Sequence, residues 1–244
     1  MPQNSRLKRW FLSVAGIAVL VLLVMMVYAG LRIQTLSKLS IPALHDWTLS
    51  AEADMAELTI GVTTFRLPRN FLLGRSSRAG GKVDGFVILV LLPGLEPYSL
   101  ENAVEFSKPG HHRKLDLLVE SSEGVPNIAT QLGNSIEGSQ FVLATDTTEA
   151  VAGLVRYEST LVPEDELYVP ETKSNVDVFF RCIKRGTRES PSCHGTTFFR
   201  QDIVLHYVFS RIYINDWKAV DAAIKKLLES FVTPHEEHLE ITNL

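Results

Sequence analysis

The chain has 244 residues, of which 24 are basic and 28 are acidic, so its formal charge is −4. Three basic residues and no acidic residue lie in the first 31 positions, and the rest of the chain therefore carries a formal charge of −7. Such an acidic surface repels phosphate backbones, which argues against nucleic acid as a partner. Roughly 200 residues follow that first part, enough for a single core or two small lobes.

The most apolar segment lies close to the N-terminus. Residues 11–31 contain no charged side chain, and as a helix they span roughly 30 Å, the thickness of a bilayer's hydrocarbon core. Arg6, Lys8 and Arg9 precede this segment, so the positive-inside rule places residues 1–10 in the cytoplasm. We predict a single-pass transmembrane signal anchor at 11–31, with the following domain on the other side of the membrane.

A cleaved signal peptide is the alternative, with Val27-Tyr28-Ala29 as the small-residue cleavage site. Its apolar region would exceed the usual length of about 7–15 residues, which favours an uncleaved anchor. Residues 32–46 form a juxtamembrane linker, in which Pro42 ends any continuation of the membrane helix.

The domain predicted for residues 47–234 consists mainly of strands. Apolar and polar residues alternate over 58–67, with a bulge at Thr63–Thr64, whereas 83–92 is an apolar run typical of a central strand covered on both faces. We predict a loop at 162–175. Further strands are predicted at 114–120, 141–144, 151–157, 176–183 and 197–209. Short helical segments are predicted at 99–106 and 128–132.

One amphipathic helix is predicted near the C-terminus. It begins after Asn215 or Asp216, both good N-cap residues, and Pro234 prevents its continuation into the acidic tail at 235–244. Its apolar stripe comprises Trp217, Val220, Ile224, Leu227, Leu228 and Phe231. The predicted fold class is therefore α+β, in which an N-terminal transmembrane helix is followed by a mainly antiparallel sheet that packs against the C-terminal helix.

Cys182 and Cys193 are the only cysteines in the chain, and both follow the predicted anchor. They lie near the two ends of a polar connection between predicted paired strands, which would bring them within bonding distance. An oxidising compartment permits a disulfide, and this is our prediction. The alternative is a metal site formed with His194, but the spacing matches no zinc pattern of the CxxC type.

Several motifs resemble catalytic signatures without matching them. His235 and His238 are three residues apart, whereas the helical zinc motif needs histidines at i and i+4. Residues 133–138 are one residue too long for a nucleophile elbow. No phosphate-binding or dinucleotide-binding motif is present, so we expect no metal and no other cofactor. The remaining catalytic candidates are His111, His112 and Asp116, which could supply a base and the group that orients it.

A local group of basic residues stands out in the acidic domain. This basic island consists of Arg66, Arg69, Arg75, Arg78 and Lys82. It is either a solvated loop or a docking site for an acidic partner or a lipid headgroup.

Four features resemble an uncharacterised family of membrane-anchored proteobacterial proteins. They are the Cys182/Cys193 pair, the strand ending HYVFS, the helix start NDWKAVD and the early turn LLPGLEPYS, in addition to the N-terminal anchor. The resemblance covers most of the outer domain. It implies a bacterial inner-membrane location with a periplasmic domain, and it implies no activity.

We therefore expect a non-enzymatic, single-pass inner-membrane protein whose periplasmic domain binds another envelope protein. An accessory role in secretion and immunity against a delivered toxin both fit this arrangement. An envelope hydrolase that uses His111, His112 and Asp116 is the first alternative. A lipid-binding or small-ligand-binding domain is the second, and it would need an apolar cavity behind the strand at 83–92. The oligomeric state stays open.

Overall fold

The computed structural model describes residues 47–138, 141–146, 150–171 and 176–233. The predicted membrane anchor, the linker and the acidic tail with His235 and His238 lie outside these residues. Among the residues that are described, no helix is both long and apolar enough to cross a membrane.

The described strands and helices follow one another in this order. The strands are β1 (Met55–Ile60), β2 (Thr63–Pro68), β3 (Leu72–Leu73), β4 (Gly81–Lys82), β5 (Gly85–Leu91), β6 (Glu96–Pro97), β7 (Lys114–Ser121), β8 (Phe141–Leu143), β9 (Leu154–Ser159), β10 (Asp165–Pro170), β11 (Val178–Ile183), β12 (Ser192–Arg200) and β13 (Ile203–Ser210). The helices are α1 (Arg75–Ala79), α2 (Ala103–Ser107), α3 (Ile128–Gly138) and α4 (Trp217–Phe231), with 3-10 turns at Arg69–Phe71 and Arg211–Asp216.

The larger sheet organises the domain. Its strand order is β3-β5-β7-β13-β12-β11-β10-β9-β8, with β6 also paired to β5, and each of its strand pairs is antiparallel. A smaller sheet has the order β2-β1-β4, in which β4 runs parallel to β1. The antiparallel sheet and the C-terminal helix confirm the α+β prediction for this part of the chain.

One face of the larger sheet packs against α4 and holds the main core. Ile224 and Leu228 of α4 are fully buried, and Leu227 is partly buried. Phe180 lies in an aromatic group whose ring centroids are 5.6 Å away at Trp217 and 6.0 Å away at Phe209. Each large side chain buried here stabilises the fold by roughly 1.5–3 kcal/mol. The apolar stripe predicted for this helix is confirmed.

The prediction of a single bulged strand at 58–67 is wrong, because the chain reverses direction there. Gly61 adopts a φ of +57°, a left-handed conformation that glycine adopts at little cost, and Val62 beside it is exposed. The two residues form the turn of the β1–β2 hairpin, in which Ile60 pairs with Thr63.

Two further predictions near the C-terminus are wrong. The segment at 162–175 contains β10, a strand buried between β9 and β11, rather than only a loop. The segment at 197–209 contains most of the β12–β13 hairpin, which turns at Gln201 and Asp202, rather than one strand. The turn contains no glycine, proline or asparagine, and Asp202 alone is a weak signal for a reversal.

The second face of the larger sheet has a separate cover at each end. Near β3 and β5, Phe106 of α2 packs with Leu89 and Leu91. At the other end, α3 places Ile128 over Leu167 of β10 in a second small core. Between these two covers, no described helix lies over the centre of this face.

Candidate functional site

The open centre of the second face forms a strip across β7, β13 and β12. We call it the central strip, and it comprises Asp116, Leu118, Glu120, His194, Thr196, His206 and Val208. These residues share one face because strand side chains alternate, while their neighbours Leu117, Tyr207 and Cys193 point into the main core. All of the strip residues except Thr196 are exposed or half-buried. The strip is therefore a rigid polar surface at the middle of the sheet.

His206 is held from both sides within the strip. Its Nε2 lies 3.1 Å from Glu120 Oε1, and its Nδ1 lies 3.2 Å from the Oγ1 of Thr196. A carboxylate only accepts hydrogen bonds, so Nε2–H donates to Glu120, while Nδ1 shares a hydrogen bond with the Thr196 hydroxyl. These contacts fix the orientation of the ring. Sequence patterns gave no sign of these two partners.

The structure brings together two of the three predicted catalytic residues. His111 Nε2 lies 3.3 Å from Asp116 Oδ2, at the edge of the central strip. His112 lies in the adjacent turn with a φ of 38° and is exposed, and the described contacts include none between it and this pair. The predicted base and its orienting carboxylate therefore meet, and the second histidine does not join them.

His194 lies beside this pair, on β12. Partial desolvation against the sheet, together with the positive charges of His111 and Arg181, lowers the pKa of His194 below its ordinary value, while Asp116 and Asp165 oppose the shift. His194 is therefore biased towards the neutral form, in which its ring can both donate and accept a hydrogen bond.

The Thr196–His206–Glu120 chain has the order of a hydroxyl, a base and a carboxylate. Acyl transfer also needs N–H donors aimed at the developing oxyanion. Thr196 lies within a central strand that pairs with β11 on one side and β13 on the other. The backbone N–H groups around its hydroxyl therefore belong to the sheet ladders. The geometry orients His206, and among the described residues the two strands that pair with β12 leave no oxyanion site beside Thr196.

A second group of charged residues lies sealed on the α4-covered face. We call it the sealed cluster, and its centre is Glu166 of β10, which is fully buried. Arg211 Nη2 lies 2.5 Å from Glu166 Oε2 and donates to the Tyr168 hydroxyl at 2.7 Å, and Nη1 donates to the Ile183 carbonyl at 2.9 Å. Arg156 Nη1 donates to Glu166 Oε1 at 3.4 Å.

Arg156 extends the sealed cluster towards the surface, with its Nη2 2.7 Å from Asp146 Oδ2. Burial opposes its charge, but the hydrogen bond to Asp146 and the charge of Glu166 outweigh it and raise the pKa of Arg156. Sequence patterns missed this cluster, because the strand that carries Glu166 was predicted to be a loop.

The predicted disulfide is confirmed. Cys182 of β11 and Cys193 of β12 are opposite each other in the ladder, and their sulfur atoms are bonded. Neither thiol is therefore available as a metal ligand, and the alternative metal site with His194 is wrong. In the part of the chain that the structure describes, no three His, Cys, Asp or Glu side chains are grouped closely enough to hold a metal ion.

Arg69 and Arg78 of the basic island contribute to the fold through specific contacts. Arg69 forms an ion pair with Asp54, and Arg78 donates to the Thr48 carbonyl at 2.6 Å. The first contact joins the segment before β1 to the 3-10 turn after β2, and the second joins that segment to α1. Arg66, Arg75 and Lys82 are exposed. Docking of an acidic partner at this island stays a prediction.

Comparison with known proteins gives the fold and no family. No protein-family model matches the chain, and no curated protein matches it in sequence. Two solved structures are similar. One is Smlt3025, an immunity protein of the Stenotrophomonas maltophilia type IV secretion system, with 14% identity, 75% of this chain and 94% of that chain covered, and a TM-score of 0.50. The other is the Neisseria meningitidis iron-regulated outer membrane lipoprotein FrpD, with 14% identity, 77% and 96% covered, and a TM-score of 0.47.

Proposed function

We propose that this chain is a single-pass protein of the bacterial inner membrane whose periplasmic domain binds another envelope protein through the central strip. The observation that carries the proposal is the strip itself, an open polar surface between two covered ends of the sheet. Its histidine and carboxylate groups are oriented by one another on rigid strands. Little ordering entropy is then lost when a partner binds, which favours affinity.

The fold favours one of the two roles that the sequence left open. Smlt3025 is named as an immunity protein of a secretion system, and its similarity extends over 94% of that chain. We infer an immunity role against a delivered protein rather than an accessory role in secretion. The acidic charge of the domain supports association with a partner of opposite charge, because complementary charge speeds encounter.

The docking test compares two tryptophan substitutions in the full-length chain, each at an exposed strand position. His194→Trp adds bulk to an exposed strand position in the central strip, and Arg66→Trp does the same in the basic island. Tryptophan is well tolerated in strands, so both variants should fold. Envelope proteins crosslinked to each tagged chain in native membranes are isolated and quantified.

The expected result is one partner that is recovered with the unaltered chain and with Arg66→Trp, and is lost with His194→Trp. Loss of the partner with Arg66→Trp alone would indicate that the partner binds at the basic island instead. Equal recovery with all three chains would contradict binding at the strip. Thermal unfolding of both variants shows whether any loss reflects misfolding.

The membrane location needs its own test, because it rests on the sequence alone. An alkaline phosphatase fused after residue 244 folds only in an oxidising compartment, so the fusion should be active in intact cells. The fusion protein should also remain with the membranes after a high-salt wash. Activity of a cytosol-dependent reporter at the same position would contradict the periplasmic placement.

A further inference from the structure

The last strand of the larger sheet, β8, has one backbone edge that no described strand pairs with. The Ala144 N–H donates to the Arg156 carbonyl at 3.0 Å, and Val142 is opposite Glu158 in the ladder. Antiparallel ladders alternate, so the N–H and C=O groups of Phe141 and Leu143 point away from β9. No strand in the described ranges pairs with that side of β8.

Apolar side chains are concentrated at this edge. Val142 and Leu143 are 52% and 59% exposed, and in the following β9–β10 turn Leu161 and Val162 are 57% and 38% exposed. They are four of the ten large apolar side chains that are exposed in the described residues. The turn is held in place by Ser159, whose Oγ accepts from the N–H groups of Leu161 and Val162 at 3.2 and 3.0 Å.

The two ends of the sheet are protected differently. Beside β3, Gly74 N–H donates to the Thr48 carbonyl, and Arg78 donates to the Leu72 carbonyl, so the chain itself covers that edge. Exposed edge strands usually carry lysine, proline or a bulge that prevents pairing with another strand. The sequence of β8 is Phe-Val-Leu, which has none of these.

We propose that β8 pairs with β8 of a second copy of this chain, antiparallel and around a two-fold axis between the two Leu143 residues. In this register Val142 is opposite Ala144 and Phe141 is opposite Thr145. No residue from 141 to 145 is charged, so the symmetry brings no like charges together. The first charged side chain, Asp146, is paired with Arg156 of its own copy.

A second copy is the occupant that this edge fits best. A two-fold contact uses the same patch on both partners, and here each copy supplies the same uncharged strand and open hydrogen-bonding groups. The two larger sheets would then continue into each other, with the exposed apolar side chains of both copies brought together. A strand from a different protein is the competing occupant.

Crosslinking tests the register in the full-length chain in its membrane. Opposed residues of a hydrogen-bonded pair have Cα atoms about 5.5 Å apart, within the range of a disulfide. Leu143→Cys should therefore form a disulfide-linked dimer under mild oxidation. Leu100→Cys is the matched control, because Leu100 is also a strongly exposed leucine but lies beside α2, near the other end of the sheet. It should stay monomeric.

Light scattering of the purified full-length chain in detergent tests the association without a new cysteine. We expect twice the 27.2 kDa of one chain, and a single-chain mass for Leu143→Lys, which places two ammonium groups opposite each other. A monomeric unaltered chain, a dimer that persists in Leu143→Lys, or equal crosslinking at positions 143 and 100 would each overturn the proposal. Capture of a different protein at Leu143→Cys in place of a second copy would also overturn it.

Discussion

The sealed cluster and the central strip use similar residue types on opposite faces of one sheet. Glu166 and Arg211 are almost completely removed from water, and each depends on the other to offset the cost of burying its charge. Glu120 and His206 are half-exposed, and water can replace either partner. The comparison separates charged groups that hold the fold together from charged groups that are available to a partner.

The largest expected effect comes from breaking the sealed cluster. Arg211→Met removes the guanidinium and leaves the buried Glu166 carboxylate with the Arg156 guanidinium and the Tyr168 hydroxyl beside it. We expect the free energy of unfolding to fall by about 3–5 kcal/mol, the usual cost of removing one member of a buried pair. Urea unfolding of the purified chain measures it.

An exposed arginine gives the matched control for this experiment. Arg200 lies 2.8 Å from Glu229 on the surface, and Arg200→Met should cost less than about 1 kcal/mol. Glu166→Gln introduced together with Arg211→Met removes the stranded charge and should recover part of the loss. Equal costs for the two arginine variants would contradict the distinction between the sealed and open groups.

The next effect concerns the disulfide, which lies on the same face as the sealed cluster. Cys182 is the ladder partner of Glu166, so the bridge fixes β12 to the strand that lies beside the cluster. Replacing Cys182 and Cys193 by alanine should lower the free energy of unfolding by about 3 kcal/mol on the chain-entropy model. A reducing agent should lower the stability of the unaltered chain similarly and leave the double variant unchanged. Stability that is insensitive to both treatments would contradict this role.

The elements that the sequence predicted correctly are those determined by local patterns. The stripe of α4, the apolar run in β5 and the alternation in β7 each carry their signal within one segment. The strand β10 does not, because it begins with Asp165 and Glu166, residues that strands usually lack. Their partners Arg181 and Arg211 lie far along the chain, and no local pattern reveals that these charges will be neutralised.

In the candidate site, too, local contacts could be predicted from the sequence and long-range contacts could not. The His111–Asp116 pair is five residues apart and could be proposed from the sequence. The contact between His206 and Glu120 requires β13 to lie beside β7, although five strands, β8 to β12, separate them along the chain. That adjacency is set by the packing of the whole sheet, so sequence patterns identified the residues without assembling the strip.

A smaller loss of stability is expected from a substitution inside the central strip. His206→Ala removes a hydrogen-bond partner of the Thr196 hydroxyl, which is nearly buried, while Glu120 remains solvated. The cost should be about 1 kcal/mol, the net value of one hydrogen bond. His206→Gln is the control, because its amide can donate to Glu120 and accept from Thr196, and it should cost less. Measured losses as large as that of Arg211→Met would show that the strip is structural.

The smallest effect is the pH dependence due to His194. Its pKa is lowered in the folded chain, so below the ordinary value of about 6.5 the unfolded chain binds a proton that the folded chain does not. The free energy of unfolding should therefore fall as the pH drops through that value, and level off once folded His194 is protonated. His194→Gln should flatten this fall by less than about 1 kcal/mol, because solvent screens an exposed group. High salt should shrink the difference between the two chains by screening His111 and Arg181, while the contribution from desolvation remains. Identical pH profiles would show that His194 titrates as it does in the unfolded chain. The inferred bias of the His194 ring towards its neutral form would then lose its basis.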